Sequence, residues 1–144
     1  MKDISCAAAT PEERFVKTYV RKSRRDRLLH ELTDPKKRYN GLSRFCHSAG
    51  ELLDPALVIM EGEDLDRRSV FEEFVRKHDG ICCTMSPDPF MDGQALPFSE
   101  AVNRALLSMD AVIILGCCFA VVFGEVMKGG RGKYLLESKS MQRG

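Results

Sequence analysis

Apolar residues along this chain recur first at helical spacing and later in short, dense runs, so helices are expected before strands. Phe15, Val16, Tyr19 and Val20 form one stripe of an amphipathic helix. Pro11 supplies a fixed φ suited to a first helical position, and Glu12 and Glu13 suit the positive end of the helix dipole. The stretch Arg21-Lys22-Ser23-Arg24-Arg25-Asp26-Arg27 has no apolar side chain, and Leu28, Leu29 and Leu32 then resume on another face. At roughly 100° per residue Leu28 falls about 120° from Val16. A straight helix would bury only one of the two sets, so a kink or break is expected near Ser23, where Asp26 completes a Ser-x-x-acid start signal.

Thr33-Asp34-Pro35 opens another helix, whose stripe is Tyr39, Leu42, Phe45, Cys46 and Ala49 and whose end is marked by Gly50. Ala56 to Met60 reads as a strand. Asp64 or Asp66 can cap the helix carrying Val70, Phe71, Phe74 and Val75, and that helix stops at Asp79-Gly80. Ile81 to Met85 is a second strand, and Phe98 to Leu107 is a helix with Phe98, Ala101, Val102, Ala105 and Leu106 turned inward. Ala111 to Leu115, Phe119 to Gly124 and Lys133 to Glu137 read as three final strands.

The order is therefore two or three N-terminal helices and then β-α-β-α-β-β-β. Helix-separated strands suit parallel pairing, and strands joined by short tips pair antiparallel. The expectation is one α+β domain over residues 11–138, with a mixed sheet of about five strands and helices packed on it, a loose arm at 1–10 and a polar tail at 139–144. A chain of 144 residues with 44% hydrophobic and 30% charged residues can bury such a core without crosslinks.

The longest apolar run, Ala111 to Gly124, is 14 residues, short of a membrane span of roughly 18, and the opening residues lack the basic-then-apolar order of a secretory signal. A cytoplasmic protein with reduced thiols is expected, the vicinal pairs Cys82-Cys83 and Cys117-Cys118 acting as small hydrophobes within apolar segments. No Cys or His pair has zinc spacing, and no cofactor signature is present. Lys128-Gly-Gly-Arg-Gly-Lys133 lacks both the first Gly and the hydroxyl residue of a phosphate loop, and reads instead as a hairpin tip kept solvated by its basic residues.

Charge is unevenly divided. Residues 1–48 carry 12 Lys or Arg against 6 Asp or Glu, and residues 49–144 carry 10 against 15. The excess lies in Arg21, Lys22, Arg24, Arg25 and Arg27, followed by Lys36, Lys37, Arg38 and Arg44. Three of these open a helix after Pro35, where cations oppose the dipole. If they converge on one face, they suit an anionic partner, either nucleic acid or an acidic protein surface, in a binding or regulatory module without catalytic activity. The bland alternative is a solvated helix face compensated by Asp26, Glu31 and Asp34.

A second candidate is the connection from Ser86 to Pro97. It has 12 residues and three prolines. Connections of that length are disproportionately functional, and this one follows a strand and precedes a helix, where open α/β sheets place ligands. Ser86, Asp88 and Asp92 would line such an enzyme or small-ligand site, though Asp also serves turns for local reasons. A third reading is a homodimeric interaction domain, because Val112, Ile114, Val121 and Phe123 in the last hairpin can face a core or a second copy.

Overall fold

A computed structural model describes residues 9–127 and 130–139 of the chain. The arm expected at 1–10 and the tail expected at 139–144 thus fall almost entirely outside the described residues. Six helices are present among those described: α1 (Pro11–Tyr19), α2 (Arg25–Thr33), α3 (Arg38–His47), α4 (Ala49–Leu52), α5 (Ser69–Lys77) and α6 (Phe98–Leu107). Six strands accompany them: β1 (Val58–Glu61), β2 (Ile81–Met85), β3 (Ala95–Pro97), β4 (Val112–Leu115), β5 (Phe119–Phe123) and β6 (Lys133–Glu137). The α+β class is as the sequence predicts, and the order differs by one added strand and one added short helix, α4, which contains the Gly50 expected to end the helix before it.

Helix α1 begins with a reciprocal cap. Thr10 Oγ1 accepts the Glu13 amide at 3.1 Å, the Thr10 amide donates to Glu13 Oε1 at 3.1 Å, and Pro11 follows at the first helical position. The break expected near Ser23 is present. The backbone turns extended at Val20, and a 3-10 turn spans Lys22–Arg24 before α2 starts. This reorientation lets Phe15, Val16 and Tyr19 of α1 and Leu28 and Leu32 of α2 enter the same core. Phe15 meets Phe45 of α3 edge to face, with ring centres 5.5 Å apart.

The strands form one sheet in the order β1-β6-β5-β4-β2-β3. Every pairing is antiparallel, which corrects the expected mixed sheet. The helix-separated strands β1 and β2 do not become neighbours. The chain crosses between them on α5, and the meander β4-β5-β6 fills the space, leaving β1 at one edge paired to β6 and β2 paired to β4. The extra strand, β3, comes from the end of the proline-rich connection. It pairs with β2 through Cys83↔Ala95 and Ile81↔Pro97 and forms the other edge, where the missing amide of Pro97 is tolerated.

Both faces of the sheet are covered. Ile113, Leu115, Ala120, Val122 and Leu136 point toward the layer of α1 to α4, whereas Val112, Ile114, Phe119, Val121, Phe123 and Leu135 point toward α5 and α6. That is why β4 and β5 are continuously apolar although antiparallel. The hairpin residues open to a partner in the sequence reading, Val112, Ile114, Val121 and Phe123, are fully buried. Tyr39 and Val70, assigned to inward stripes, instead stand 61% and 65% exposed.

The glycine-rich tip departs most from expectation. Arg131 does not solvate it but turns inward, where its side chain donates to the carbonyls of Gly124 at 2.6 Å, Ala105 at 3.0 Å and Asp110 at 2.8 Å. Its guanidinium also lies 5.2 Å from the centre of the Phe123 ring. Lys133 is likewise engaged, donating to Asp66 Oδ1 and to the Glu63 carbonyl, each at 2.6 Å. No described helix is long and apolar enough to cross a membrane.

Candidate functional site

The break between α1 and α2 creates an open groove. Val20 bridges to Leu53, the Arg21 amide donates to the Leu52 carbonyl at 2.9 Å, and the Asp54 amide donates to the Tyr19 carbonyl at 2.8 Å. These bonds hold the turn at Pro55–Leu57 beside the last turn of α1. Across the break, Arg25 Nε donates to the Val20 carbonyl at 2.8 Å, which fixes the start of α2 and the direction of that guanidinium. The groove, of about 400 Å³, is lined by Lys17 and Thr18 of α1, Lys22, Arg25, Asp54, Leu57 and Lys139, which follows β6. Four cations thus face one carboxylate, and Asp54 is itself occupied, accepting the Ala56 amide at 3.0 Å. Among the described residues, Lys17, Lys22 and Lys139 make no ion pair.

The same 3-10 turn contributes Arg24 to a second, smaller recess of about 150 Å³, lined also by Arg27, Leu28, Glu31, Arg44 and Phe45. Here three arginines surround one carboxylate, which two of them share. Both Arg44 terminal nitrogens donate to Glu31 Oε2 at 2.9 Å, and Arg27 Nε reaches the same oxygen at 3.4 Å.

The nine predicted cations therefore do not share one surface. Lys22 and Arg25 enter the groove, Arg24, Arg27 and Arg44 surround Glu31, and Arg21 is exposed on the turn. Lys36 and Lys37 are exposed beyond the far end of α2, about 13 Å along a nine-residue helix. Arg38 belongs to the fold. It forms a bidentate pair with Asp92 at 2.7 and 3.0 Å, and its Nη1 donates to Glu12 at 2.6 Å and to the Leu32 carbonyl at 3.1 Å. The bond to Asp92, with Glu12 adding to it, raises the Arg38 pKa and keeps the guanidinium charged in its half-buried position.

Two groove residues, Lys17 and Lys139, escape the sequence reading. Lys17 lies outside the basic run, on the polar side of the α1 stripe, and that position is its only sequence signal. Lys139 reaches the groove solely through the path of β6, which no local pattern announces.

The connection after β2 is tightly bonded. Ser86 Oγ donates to the Ala111 carbonyl at 2.6 Å and accepts the Asp88 amide at 3.0 Å. Asp88 accepts the Phe90 amide at 2.9 Å and the Ser108 hydroxyl at 3.1 Å. Asp92 accepts the Ser86 amide at 3.1 Å in addition to Arg38. Thr84 Oγ1 donates to the Met91 carbonyl beneath this loop. The structure thus gathers Ser86, Asp88 and Asp92 into one place, with Ser86 and Asp88 tying the loop to the segment between α6 and β4 and Asp92 tying it to α3. Among the described residues, no cluster of three or more His, Cys, Asp or Glu is placed to hold a metal.

No family model, curated protein or solved structure matches the chain.

Proposed function

We propose that this chain is a binding module without catalytic activity that holds an anionic partner in the groove between α1, α2 and Lys139, the phosphate backbone of nucleic acid being the partner its chemistry suits best. The observation that carries this reading is the arrangement of Lys17, Lys22, Arg25 and Lys139 around an open channel whose one carboxylate is engaged in a turn. Cations brought together from three separate segments produce a stronger local field than the overall charge of +1 suggests. The lining offers no aromatic side chain on which bases could stack, so contacts to phosphates, independent of sequence, are expected.

Anisotropy of a labelled duplex oligonucleotide titrated with the protein at several salt concentrations tests this. Log affinity should fall with log salt with a slope of about −3 to −4 for four phosphate contacts. Lys17→Gln, Lys22→Gln, Arg25→Gln and Lys139→Gln together should abolish binding at low salt. Absence of binding by the unaltered chain, or binding retained by the fourfold variant, would overturn the reading. Binding of an acidic protein in place of the oligonucleotide would keep the groove and reassign its partner.

A further inference from the structure

Asp54 is out of place in a groove built for phosphates. Four cations share its lining, yet among the described residues the carboxylate makes no ion pair with any of them. Its position is fixed from two sides. The Asp54 amide donates to the Tyr19 carbonyl at 2.8 Å, and Oδ1 accepts the Ala56 amide at 3.0 Å at the start of the 3-10 turn Pro55–Leu57. The half-buried side chain is thereby held in one orientation, and among the described residues Oδ2 accepts no hydrogen bond. Capping the turn does not account for the charge, because Ser or Asn would cap it as well and would not repel a phosphate.

A carboxylate can only accept hydrogen bonds, so the group that meets Oδ2 must be a donor. That donor must be neutral, because Lys17, Lys22, Arg25 and Lys139 repel an ammonium or guanidinium. It must also lie close to a phosphate, since phosphates are what the four cations hold. In nucleic acid the ribose 2′-hydroxyl meets all three conditions, and DNA lacks it. Base amino groups are neutral donors too, but they lie away from the backbone. The lining offers Leu57 and no aromatic ring to receive a base.

We infer that Asp54 is a specificity-determining residue that selects RNA over DNA, its Oδ2 accepting a hydrogen bond from the 2′-hydroxyl of a nucleotide whose phosphate lies among the four cations. This rests on the reading of the groove as a phosphate site. Against DNA the same carboxylate repels the phosphate and gains no bond in return. Asp54 therefore weakens binding of both nucleic acids and restores it only for RNA.

Anisotropy at low salt with three labelled duplexes of one sequence tests this: RNA, RNA carrying 2′-fluoro in place of every 2′-hydroxyl, and DNA. The fluorinated duplex keeps the A-form shape and loses the donor, so it separates hydrogen bonding from helix geometry. The unaltered chain should bind RNA about fivefold or more tighter than the fluorinated duplex, as one hydrogen bond to a charged group implies. Asp54→Asn keeps an oxygen for the Ala56 amide and removes the charge. It should tighten binding of DNA and of the fluorinated duplex and bring the preference for RNA below about twofold. Asp54→Ser, which also caps the turn, should do the same, and the urea midpoint of each variant checks that the fold is kept. Equal binding of RNA and the fluorinated duplex by the unaltered chain, or a preference that survives both substitutions, would overturn the inference and leave the groove standing. Failure to bind any of the three duplexes would overturn the groove reading, and the inference with it.

Discussion

Arg131 and Arg38 on one side, and Lys17, Lys22, Arg25 and Lys139 on the other, carry the same formal charge and serve the molecule in opposite ways. The first two are spent. Arg131 satisfies three backbone carbonyls where α6, the start of β4 and the end of β5 converge, and Arg38 ties α3 to the loop after β2 and to α1. The groove residues keep their charge facing solvent, Arg25 being anchored through Nε alone. A count of basic residues along the chain therefore overstates the field available to an anion, because it includes cations that the fold has already consumed. What an incoming phosphate senses is the residue of that subtraction.

The comparison breaks most visibly at Arg131. Arg131→Met leaves three carbonyls in a buried site without their donor and should lower stability by about 3–5 kcal/mol, read from the urea midpoint. Burial lowers the Arg131 pKa, so the charge is held at a desolvation cost that the three carbonyls and the Phe123 face offset. A loss below about 1 kcal/mol would place Arg131 with the unspent cations. Arg38→Gln comes next, at about 2–3 kcal/mol, since it removes charge-assisted bonds to Asp92 and Glu12 from a half-buried site. A double-mutant cycle with Asp92→Asn should return a coupling of about 1–2 kcal/mol, and additive losses would mean that the bidentate pair contributes nothing of its own.

Much of the fold was legible in the sequence because its signals are local. The Pro11 start, the loss of apolar phase between Val20 and Leu28, and the Val- and Ile-rich runs each dictate an element without reference to distant partners. The antiparallel run β4-β5-β6 was legible from its short tips, but the placement of the helix-separated strands was not. Helix-separated strands suggest parallel neighbours, yet β1 and β2 are kept apart by β4, β5 and β6, an outcome of long-range packing. Arg131 was misplaced for a related reason. Glycines around it imply a solvated tip, and nothing nearby reveals that three carbonyls converge beneath it. For the candidate groove, the sequence offered Lys22 and Arg25 within a longer basic run but could not remove Arg38 from that run, because its partners Glu12 and Asp92 lie 26 and 54 positions away.

Cys46 sharpens the contrast through pH, and its effect is smaller. It packs near Arg131, whose charge favours a thiolate, yet burial dominates and pushes the thiol up to about 12. An unfolded thiol ionises near 8.5, so the native state holds the proton through a window in which the unfolded state has released it. The stability tied to this protonated thiol is fully present below that unfolded value and is lost as pH rises toward about 12. The expected loss is up to about 1.4 kcal/mol per pH unit within the window. Urea unfolding at pH values near 8 and 10 should therefore show a steeper decline for the unaltered chain than for Cys46→Ala, and parallel declines would mean that the thiol is not shielded.

The smallest expected effect discriminates best between a groove and mere positive charge. Lys36→Gln with Lys37→Gln removes two exposed cations from beyond the far end of α2, outside both recesses. Stability should change by less than about 0.5 kcal/mol, as it should for Lys17→Gln with Lys22→Gln, because none of the four lysines holds an ion pair among the described residues. Oligonucleotide binding should separate the two variants. If phosphates sit in the groove, the slope of log affinity against log salt falls by nearly two units when Lys17 and Lys22 are replaced and is unchanged when Lys36 and Lys37 are. Equal losses from the two pairs would mean that an anion senses only diffuse charge on the helical layer, and the distinction between spent and unspent cations would then carry no consequence for binding.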